Sequence, residues 1–135
     1  MINKKIIEEK IKNIEEFLHV IRKIFPPNKK SIKLNYMLQG AFERLTFLIC
    51  RCSLDIVDII YNHEKFKKTD NYIEKINKLE KKKIFNRNDK KLFITCVALY
   101  NVLMSSCDIV DNKVILDLLY NNKYSINNFI KILKN

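Results

Sequence analysis

The sequence predicts an all-α protein, an up-and-down bundle of about five helices that includes a long central helix. Only one glycine, Gly40, and two prolines occur in the 135 residues. Antiparallel sheets need glycine-rich turns and nucleotide-binding α/β folds need a glycine-rich loop, so neither can be built from a single glycine. Apolar residues recur three and four positions apart, which is the spacing of one helix face. We expect a single domain over residues 1–135, a usual size for one hydrophobic core.

The first two predicted helices cover most of residues 2–62. The first runs from Ile2 to Phe25 and ends at Pro26 and Pro27, because proline cannot continue a helix. Its apolar stripe consists of Ile7, Ile11, Ile14, Leu18, Ile21 and Phe25. The second, the long central helix, runs from an N-cap at Ser31 to about Asn62.

The central helix is apolar over an unusually large part of its circumference. Its main stripe consists of Leu34, Leu38, Ala41, Leu45, Leu48 and Cys52, and a wider set adds Met37, Phe42, Ile49, Val57 and Ile60. We expect such a helix to be buried by several neighbours or by a partner chain.

Three further helices are predicted in the second half of the chain. A polar loop over residues 63–70 leads to a short helix that Asp70 or Asn71 caps, with Ile73, Ile76 and Leu79 on its apolar face. The polar cluster at residues 86–89 caps a fourth helix, which reaches about Ser106 and has an apolar face of Leu92, Phe93, Cys96, Leu99 and Leu103. Asp111 caps a closing helix that extends to Leu133.

Composition excludes some classes of protein. No segment reaches about 18 uninterrupted apolar residues, so no membrane span is expected. Glu8 and Glu9 interrupt any apolar signal segment after Lys4 and Lys5, so we expect a cytoplasmic protein. The four cysteines do not have metal-ligand spacing, and we expect reduced thiols with no metal and no cofactor. They are Cys50, Cys52, Cys96 and Cys107.

The net charge of +11 admits two explanations. A strongly positive protein is suited to RNA, DNA or an acidic partner. The chain is also rich in Lys, Asn and Ile, which an AT-rich genome tends to supply, so the charge alone does not decide between function and composition.

Three blocks of sequence, in order, are similar to one known family. They are Ala41–Leu45, Ser53–Ile60 and Asn71–Phe85. They resemble the Ala-x-Glu-Arg-x-Leu run, the Ile-Asp-Ile-Ala-x-x-Ile stretch and the Tyr-x-x-x-Ile-x-x-Leu-x-x-x-x-Ile-Ile segment of the HepT-like branch of the HEPN proteins. The resemblance implies a helical bundle and a relation to metal-independent ribonuclease toxins of toxin–antitoxin systems.

The family's motif helix departs from its pattern here. Members carry Arg-Asn-x-Leu-Val-His-x-Tyr, where this chain has Tyr100 through Cys107. Asn101 and Leu103 match the pattern. Tyr100 stands at the Arg position, Ser105 at the His position, and Cys107 at the Tyr that a partner nucleotidyltransferase modifies with AMP in some members. All three reactive positions are therefore changed.

The missing residues predict a loss of catalysis. The family reaction needs a proton carrier that titrates near neutral pH, which His supplies, and a cation for the phosphate, which Arg supplies. The Ser105 hydroxyl does not titrate near pH 7, and Tyr100 is neutral. Tyr100 is better explained as an aromatic residue that fills a dimer groove. The only histidines, His19 and His63, are expected to be ordinary helix residues.

A polar track on the central helix is the expected support of this site. Arg51 and Asp55 lie four residues apart and can pair, and the resemblance places Asp55 near the family's cleft. Glu43 and Arg44 lie one to two turns earlier and extend the track. We expect these residues to support packing and the register of a dimer.

The favoured function is that of an inactive, homodimeric binding and assembly module, with an MntA-type nucleotidyltransferase as a partner and RNA as a ligand of the basic surface. The alternatives are a divergent, metal-independent ribonuclease toxin neutralised by a nucleotidyltransferase antitoxin, a nucleic-acid binder without chemistry, and a helical bundle unrelated to the family.

Overall fold

The computed structural model of this chain describes residues 4–24 and 36–104, which form four helices: α1 (Lys4–Ile24), α2 (Tyr36–His63), α3 (Tyr72–Lys81) and α4 (Arg87–Met104). No strand occurs in these two ranges, so the all-α prediction is confirmed for them. The predicted N-cap at Ser31 and the predicted closing helix after Asp111 lie outside the described residues. Within the described part of the chain, no helix is both long and apolar enough to cross a bilayer.

The apolar stripe of α1 lies against α2. Ile11, Ile14, Leu18 and Ile21 are each at most 5% exposed, as the spacing of three and four residues predicts. Glu8, Glu9, Lys12 and Glu16 on the other side of the helix are exposed. Among the described helices α1 packs only on α2, whereas α2 also contacts α3 and α4.

The buried face of α2 differs from its predicted main stripe. Ala41 is exposed, and Leu45 and Leu48 are only half-buried. The face packed into the core follows the wider set instead, with Phe42, Ile49, Val57 and Ile60 buried, but Met37 of that set is 86% exposed. The pattern could not select the face because apolar residues surround most of the helix, so several overlapping stripes had equal support.

Contacts between side chains give the directions of α3 and α4 relative to α2. Phe47 stacks on Tyr100, whereas Cys50 and Ser53, further along α2, contact Cys96, so the partner numbers fall as α2 advances and α4 is antiparallel to α2. The contacts of α3 start at Asp58 with Tyr72 and Lys75 and end at Glu64 with Lys82. Here the partner numbers rise together, so α3 runs in the same direction as the end of α2.

Local hydrogen bonds determine where α3 begins and ends. The Asn71 side chain accepts a hydrogen bond from the Glu74 backbone N–H at 3.1 Å, which makes Asn71 the N-cap. At the other end Lys83 has a φ of 64° and Lys83 N–H donates to Glu80 C=O at 2.8 Å. Ile84 N–H donates to Leu79 C=O at 3.0 Å, which completes a Schellman motif with lysine in the position that glycine usually occupies.

A pair of reciprocal hydrogen bonds starts α4. Asp89 N–H donates to Asn86 Oδ1 at 2.8 Å, and Asn86 N–H donates to Asp89 Oδ2 at 2.9 Å. This is a capping box in which the acidic side chain is Asp, and Asp89 is only 5% exposed. The polar cluster at residues 86–89 was predicted as this cap.

A partly buried ion pair connects α2 to α3. Lys75 Nζ lies 2.6 Å from Asp58 Oδ1, and Tyr72 Oη donates to Asp58 Oδ2 at 2.8 Å. The ammonium also faces the rings of Tyr72 and Tyr61, with centroids at 4.9 and 5.7 Å. Burial, together with the hydrogen bond to Asp58, raises the pKa of Tyr72, which keeps the phenol protonated. Lys75 is buried by these three partners, although its position on a short polar helix gives no sign of it.

Replacement of Asn86 by Ala is expected to lower the free energy of unfolding by about 1 kcal/mol, because it removes the side chain that caps α4. Urea unfolding monitored by circular dichroism measures the change. Asn88 is exposed two residues later, so Asn88→Ala is the matched control and should change the value by less than about 0.5 kcal/mol. Equal effects of the two substitutions would contradict the capping role.

Replacement of Asp58 by Asn should destabilise the protein by about 1–3 kcal/mol, because Lys75 and Tyr72 both bond to the charged carboxylate. The same unfolding experiment measures it. Asp70 is exposed, with no hydrogen bond or ion pair of its side chain in the described residues, so Asp70→Asn tests the loss of one negative charge by itself. If Asp70→Asn costs as much, the net charge rather than the buried pair determines the effect.

Candidate functional site

The predicted site lies where the last turns of α4 pack on the middle of α2. The Tyr100 ring stacks on Phe47, with ring centroids 5.1 Å apart and planes 16° from parallel. The Arg44 guanidinium lies over the Phe47 ring at 5.5 Å from its centroid. Tyr100 is half-buried, so the ring is held in the helix contact while its hydroxyl reaches the surface.

A guanidinium from α2 lies beside the Tyr100 hydroxyl. Arg51 Nη1 donates to Tyr100 Oη at 3.1 Å, and Arg51 Nε lies 3.6 Å from Asp55 Oδ1. The Arg51 side chain is 57% exposed. The hydrogen bond to Tyr100, and the charge of Asp55, raise the pKa of Arg51 above its ordinary value. The guanidinium of α2 therefore lies beside a motif position at which α4 itself carries no cation.

Asp55 lies between two cations. Its Oδ2 is 3.0 Å from Lys10 Nζ of α1, and its Oδ1 faces Arg51. The carboxylate thus connects α1 to the Arg51–Tyr100 contact and offsets one of the two positive charges. We use the name tyrosine cluster for these five residues of three helices, namely Lys10, Phe47, Arg51, Asp55 and Tyr100.

Small buried side chains lie behind the tyrosine cluster. Cys50 and Cys96 are 0% and 2% exposed, and Ser53 is 1% exposed. The Ser53 hydroxyl donates to Ile49 C=O of its own helix at 2.8 Å, which satisfies it inside the core. A hydrogen bond with Cys96 and burial raise the pKa of Cys50, so its thiol stays protonated. Cys52 is also buried, and burial raises its pKa.

These thiols are part of the helix packing. Cys50, Cys52 and Cys96 are free and buried. Within the ranges that the structure describes, no group of His, Cys, Asp and Glu is arranged to hold a metal ion.

The structure places only some of the predicted site residues together. Arg51, Asp55 and Tyr100 are in contact, but Glu43 makes no ion pair or hydrogen bond within the described residues. Burial raises the pKa of Glu43. Asn101 is exposed on α4. Ser105 and Cys107 lie outside the described residues, so their predicted roles stay predictions.

Two members of the cluster were missed by sequence reasoning. Lys10 lies between Ile7 and Ile11 on α1, where the spacing marks only the edge of an apolar stripe. Phe47 lies one turn before Arg51, and this spacing of four residues is the only local signal for its proximity. Arg51 and Tyr100 are 49 positions apart in the sequence, so no local pattern reveals their contact.

Neither histidine makes a hydrogen bond, ion pair or ring contact with the tyrosine cluster within the described residues. His63 follows Arg51 by twelve residues on α2, which corresponds to about 18 Å of helix axis. His19 and His63 are both exposed, and the sequence contains no other histidine.

Two solved structures are similar in fold. The cytosolic protein of unknown function YutE from Bacillus subtilis matches with a TM-score of 0.79 at 14% identity, over 98% of this chain and 89% of that one. A toxin–antitoxin solved with AMP-PNP matches with a TM-score of 0.81 at 16% identity, over 96% of this chain and 98% of that one. At these identities the likeness shows the fold alone. No curated protein matches the sequence.

A family model described as ribonuclease HepT-like matches residues 6–133, nearly the whole sequence. This agrees with the resemblance of the three sequence blocks. The chain therefore belongs to the HepT-like ribonuclease family of the HEPN superfamily.

Proposed function

We propose that this chain is a HepT-like protein without ribonuclease activity that serves as a binding module in a cytoplasmic toxin–antitoxin assembly. The observation that carries the proposal is the Tyr100 side chain. It occupies the motif position of the family's Arg, its ring packs on Phe47, and its hydroxyl accepts a hydrogen bond from Arg51. The residue at the reactive position thus takes part in helix packing.

The proposed loss of activity follows from proton transfer. Cleavage of RNA by its own 2′-hydroxyl requires a group that accepts and returns a proton near neutral pH, and such catalysis contributes about 10²–10⁴ in rate. Burial and the hydrogen bond to Asp58 raise the pKa of Tyr72, a second phenol that contacts α2, so it does not titrate near pH 7. Neither His19 nor His63 makes a hydrogen bond or ion pair with the tyrosine cluster within the described residues.

The proposed partners are a second copy of the chain and a nucleotidyltransferase of the MntA type. The similar toxin–antitoxin was solved with AMP-PNP, which supports an antitoxin partner and a nucleotide in that kind of assembly. Leu45, Phe47 and Leu48 of α2 are half-buried in one protomer, and a second copy would cover them further. Cys107 replaces the tyrosine that the partner modifies in some members, so we expect binding without modification at that position.

A divergent ribonuclease is the second candidate, and one contact favours it. The Arg51 guanidinium is 57% exposed beside the motif position, so a cation is available there to a phosphate. Activity would then require a proton carrier from outside the described residues or from the partner protomer.

RNA cleavage by the purified protein should stay at background, and the double variant Tyr100→Arg with Ser105→His should cleave above it. The variant restores the cation and the imidazole at the motif positions, which together contribute several orders of magnitude in rate. A labelled RNA incubated with each protein and resolved on a denaturing gel measures the product.

The second candidate makes the opposite prediction for the unmodified protein. Cleavage that is lost in Tyr100→Ala, Ser105→Ala or Arg51→Gln, but kept in Lys12→Gln, would overturn the proposal of an inactive module. Lys12→Gln is the control, because it removes an exposed cation from α1 outside the tyrosine cluster.

The purified protein should be a dimer at micromolar concentration. Size-exclusion chromatography with light scattering should give about twice the 16.2 kDa of one chain. Leu48→Lys should shift the equilibrium towards monomer, because it places a charge on a half-buried apolar position of α2. Lys12 is exposed on α1, and Lys12→Gln should leave the mass unchanged. A monomer at this concentration without any substitution is the result that would refute the dimer.

A further inference from the structure

The positive charge of this chain is concentrated outside the tyrosine cluster. Residues 64–91, which form the α2–α3 connection, α3 and the start of α4, contain eleven Lys and Arg against five Asp and Glu. This net charge of +6 is more than half of the total of +11. Residues 4–24 have a net charge of only +2, and residues 36–63 have one of −1. A general composition bias would spread the excess along the chain.

Part of this charge lines a cleft of about 650 Å³ beside the first two turns of α4. Arg87, Lys90 and Lys91 are three and four residues apart, so they share one helix face. Phe85 and Ile94 provide the apolar part of the lining, and Glu80 of α3 is the single acidic residue in it. We call these six residues the basic cleft.

The cations of the basic cleft are poorly neutralised. Lys90 Nζ lies 3.5 Å from Glu80 Oε1, but Arg87 and Lys91 have no ion pair within the described residues. Asp89 lies between Arg87 and Lys90 in the sequence, but its side chain is buried and accepts a hydrogen bond from the Asn86 backbone. Its carboxylate is thus used in the helix cap, and the cleft keeps a positive field.

The composition of this surface indicates its ligand. Surfaces that bind proteins are enriched in aromatic residues, Met and Arg and are depleted of Lys, whereas two of the three cations in the basic cleft are Lys. Phe85 is 5% exposed and stacks on Phe93 at 4.6 Å, so the cleft offers no open aromatic face to a base. Single strands are usually held by such stacking, but a duplex is bound mainly through its phosphates. Lysines without open aromatic rings therefore fit a duplex backbone.

We propose that the basic cleft binds the phosphodiester backbone of duplex RNA. The choice of RNA over DNA rests on the proposed function within a ribonuclease family. Arg87 precedes Tyr100 by thirteen residues on α4, or about 20 Å of helix axis, so the cleft is separate from the tyrosine cluster. The bundle thus binds RNA at one end of α4 and retains the altered catalytic position near the other.

Binding to a fluorescent RNA duplex of about 16 base pairs tests this proposal. The triple variant Arg87→Gln, Lys90→Gln, Lys91→Gln should lower the slope of log K against log salt by about 3, one unit for each lost phosphate contact. The matched triple Lys4→Gln, Lys5→Gln, Lys12→Gln removes the same charge from exposed positions of α1. It should leave the slope unchanged.

A variant that binds RNA more tightly also tests the site, because a gain of affinity cannot result from partial unfolding of the protein. Glu80→Gln removes the one carboxylate of the cleft and should tighten RNA binding about two- to fivefold, the worth of one exposed charge pair. Equal losses in the two triple variants, or no change with Glu80→Gln, would overturn the location. Equal affinity for single-stranded RNA, duplex DNA or polyglutamate would overturn the choice of ligand. RNA cleavage and RNA binding are measured in different assays. The proposal of an inactive protein and the proposal of RNA binding by the basic cleft can therefore fail independently.

Discussion

The contact between α2 and α4 is the constraint on which the candidate site depends. Three small buried side chains meet in this contact, where Cys50 and Ser53 both touch Cys96. The hydroxyl of Ser53 bonds to a carbonyl of its own helix, so no partner or water has to be accommodated between the helices. Interiors are packed too densely to absorb extra volume at such a point. A larger side chain there would separate the helices and move Tyr100 away from Arg51.

Charge pairing on α2 follows from the same packing. Asp55 lies between Lys10 of α1 and Arg51, and Asp58 bonds to Tyr72 and Lys75 of α3. Each carboxylate therefore joins α2 to a neighbouring helix and offsets the positive charge of the cations that contact it. In residues 64–91 the carboxylate of Asp89 is used in the cap of α4. Arg87 and Lys91 at the start of that helix have no ion pair within the described residues, and Arg87 lies about 20 Å of helix axis from Tyr100, so the basic cleft is separate from the tyrosine cluster.

Patterns confined to one helix could be predicted from the sequence. The stripe of α1, a cap at Asp70 or Asn71 and a capping cluster at residues 86–89 depend on residues at most four apart. The structure confirms them within the described residues and selects Asn71 for one cap and Asn86 with Asp89 for the other. The motif helix could be located by resemblance, which identified Tyr100. The face of α2 could not be predicted, because a helix that is apolar on most sides supports several packings equally well.

Contacts between helices could not be predicted either. The Lys10–Asp55 and Arg51–Tyr100 contacts join residues 45 and 49 positions apart. Charge alone does not specify such pairs, since 26 Lys and Arg are available to 15 Asp and Glu. The buried state of Lys75 was hidden for a related reason. Its burial depends on Asp58 and on the rings of Tyr61 and Tyr72. Of these three, only Tyr72 lies on α3 itself, and the other two lie on α2.

The cation beside Tyr100 separates two parts of catalysis that the family's motif combines. A guanidinium near a phosphate attracts the bound substrate as well as the transition state, so by itself it mainly favours binding. Acceleration of cleavage also requires a proton to be moved at the 2′-hydroxyl and at the leaving oxygen. Arg51 places a cation beside Tyr100, whereas the motif of this chain carries no histidine. Because the cation by itself serves binding and the proton carrier of the motif is absent, we favour binding over cleavage as the function.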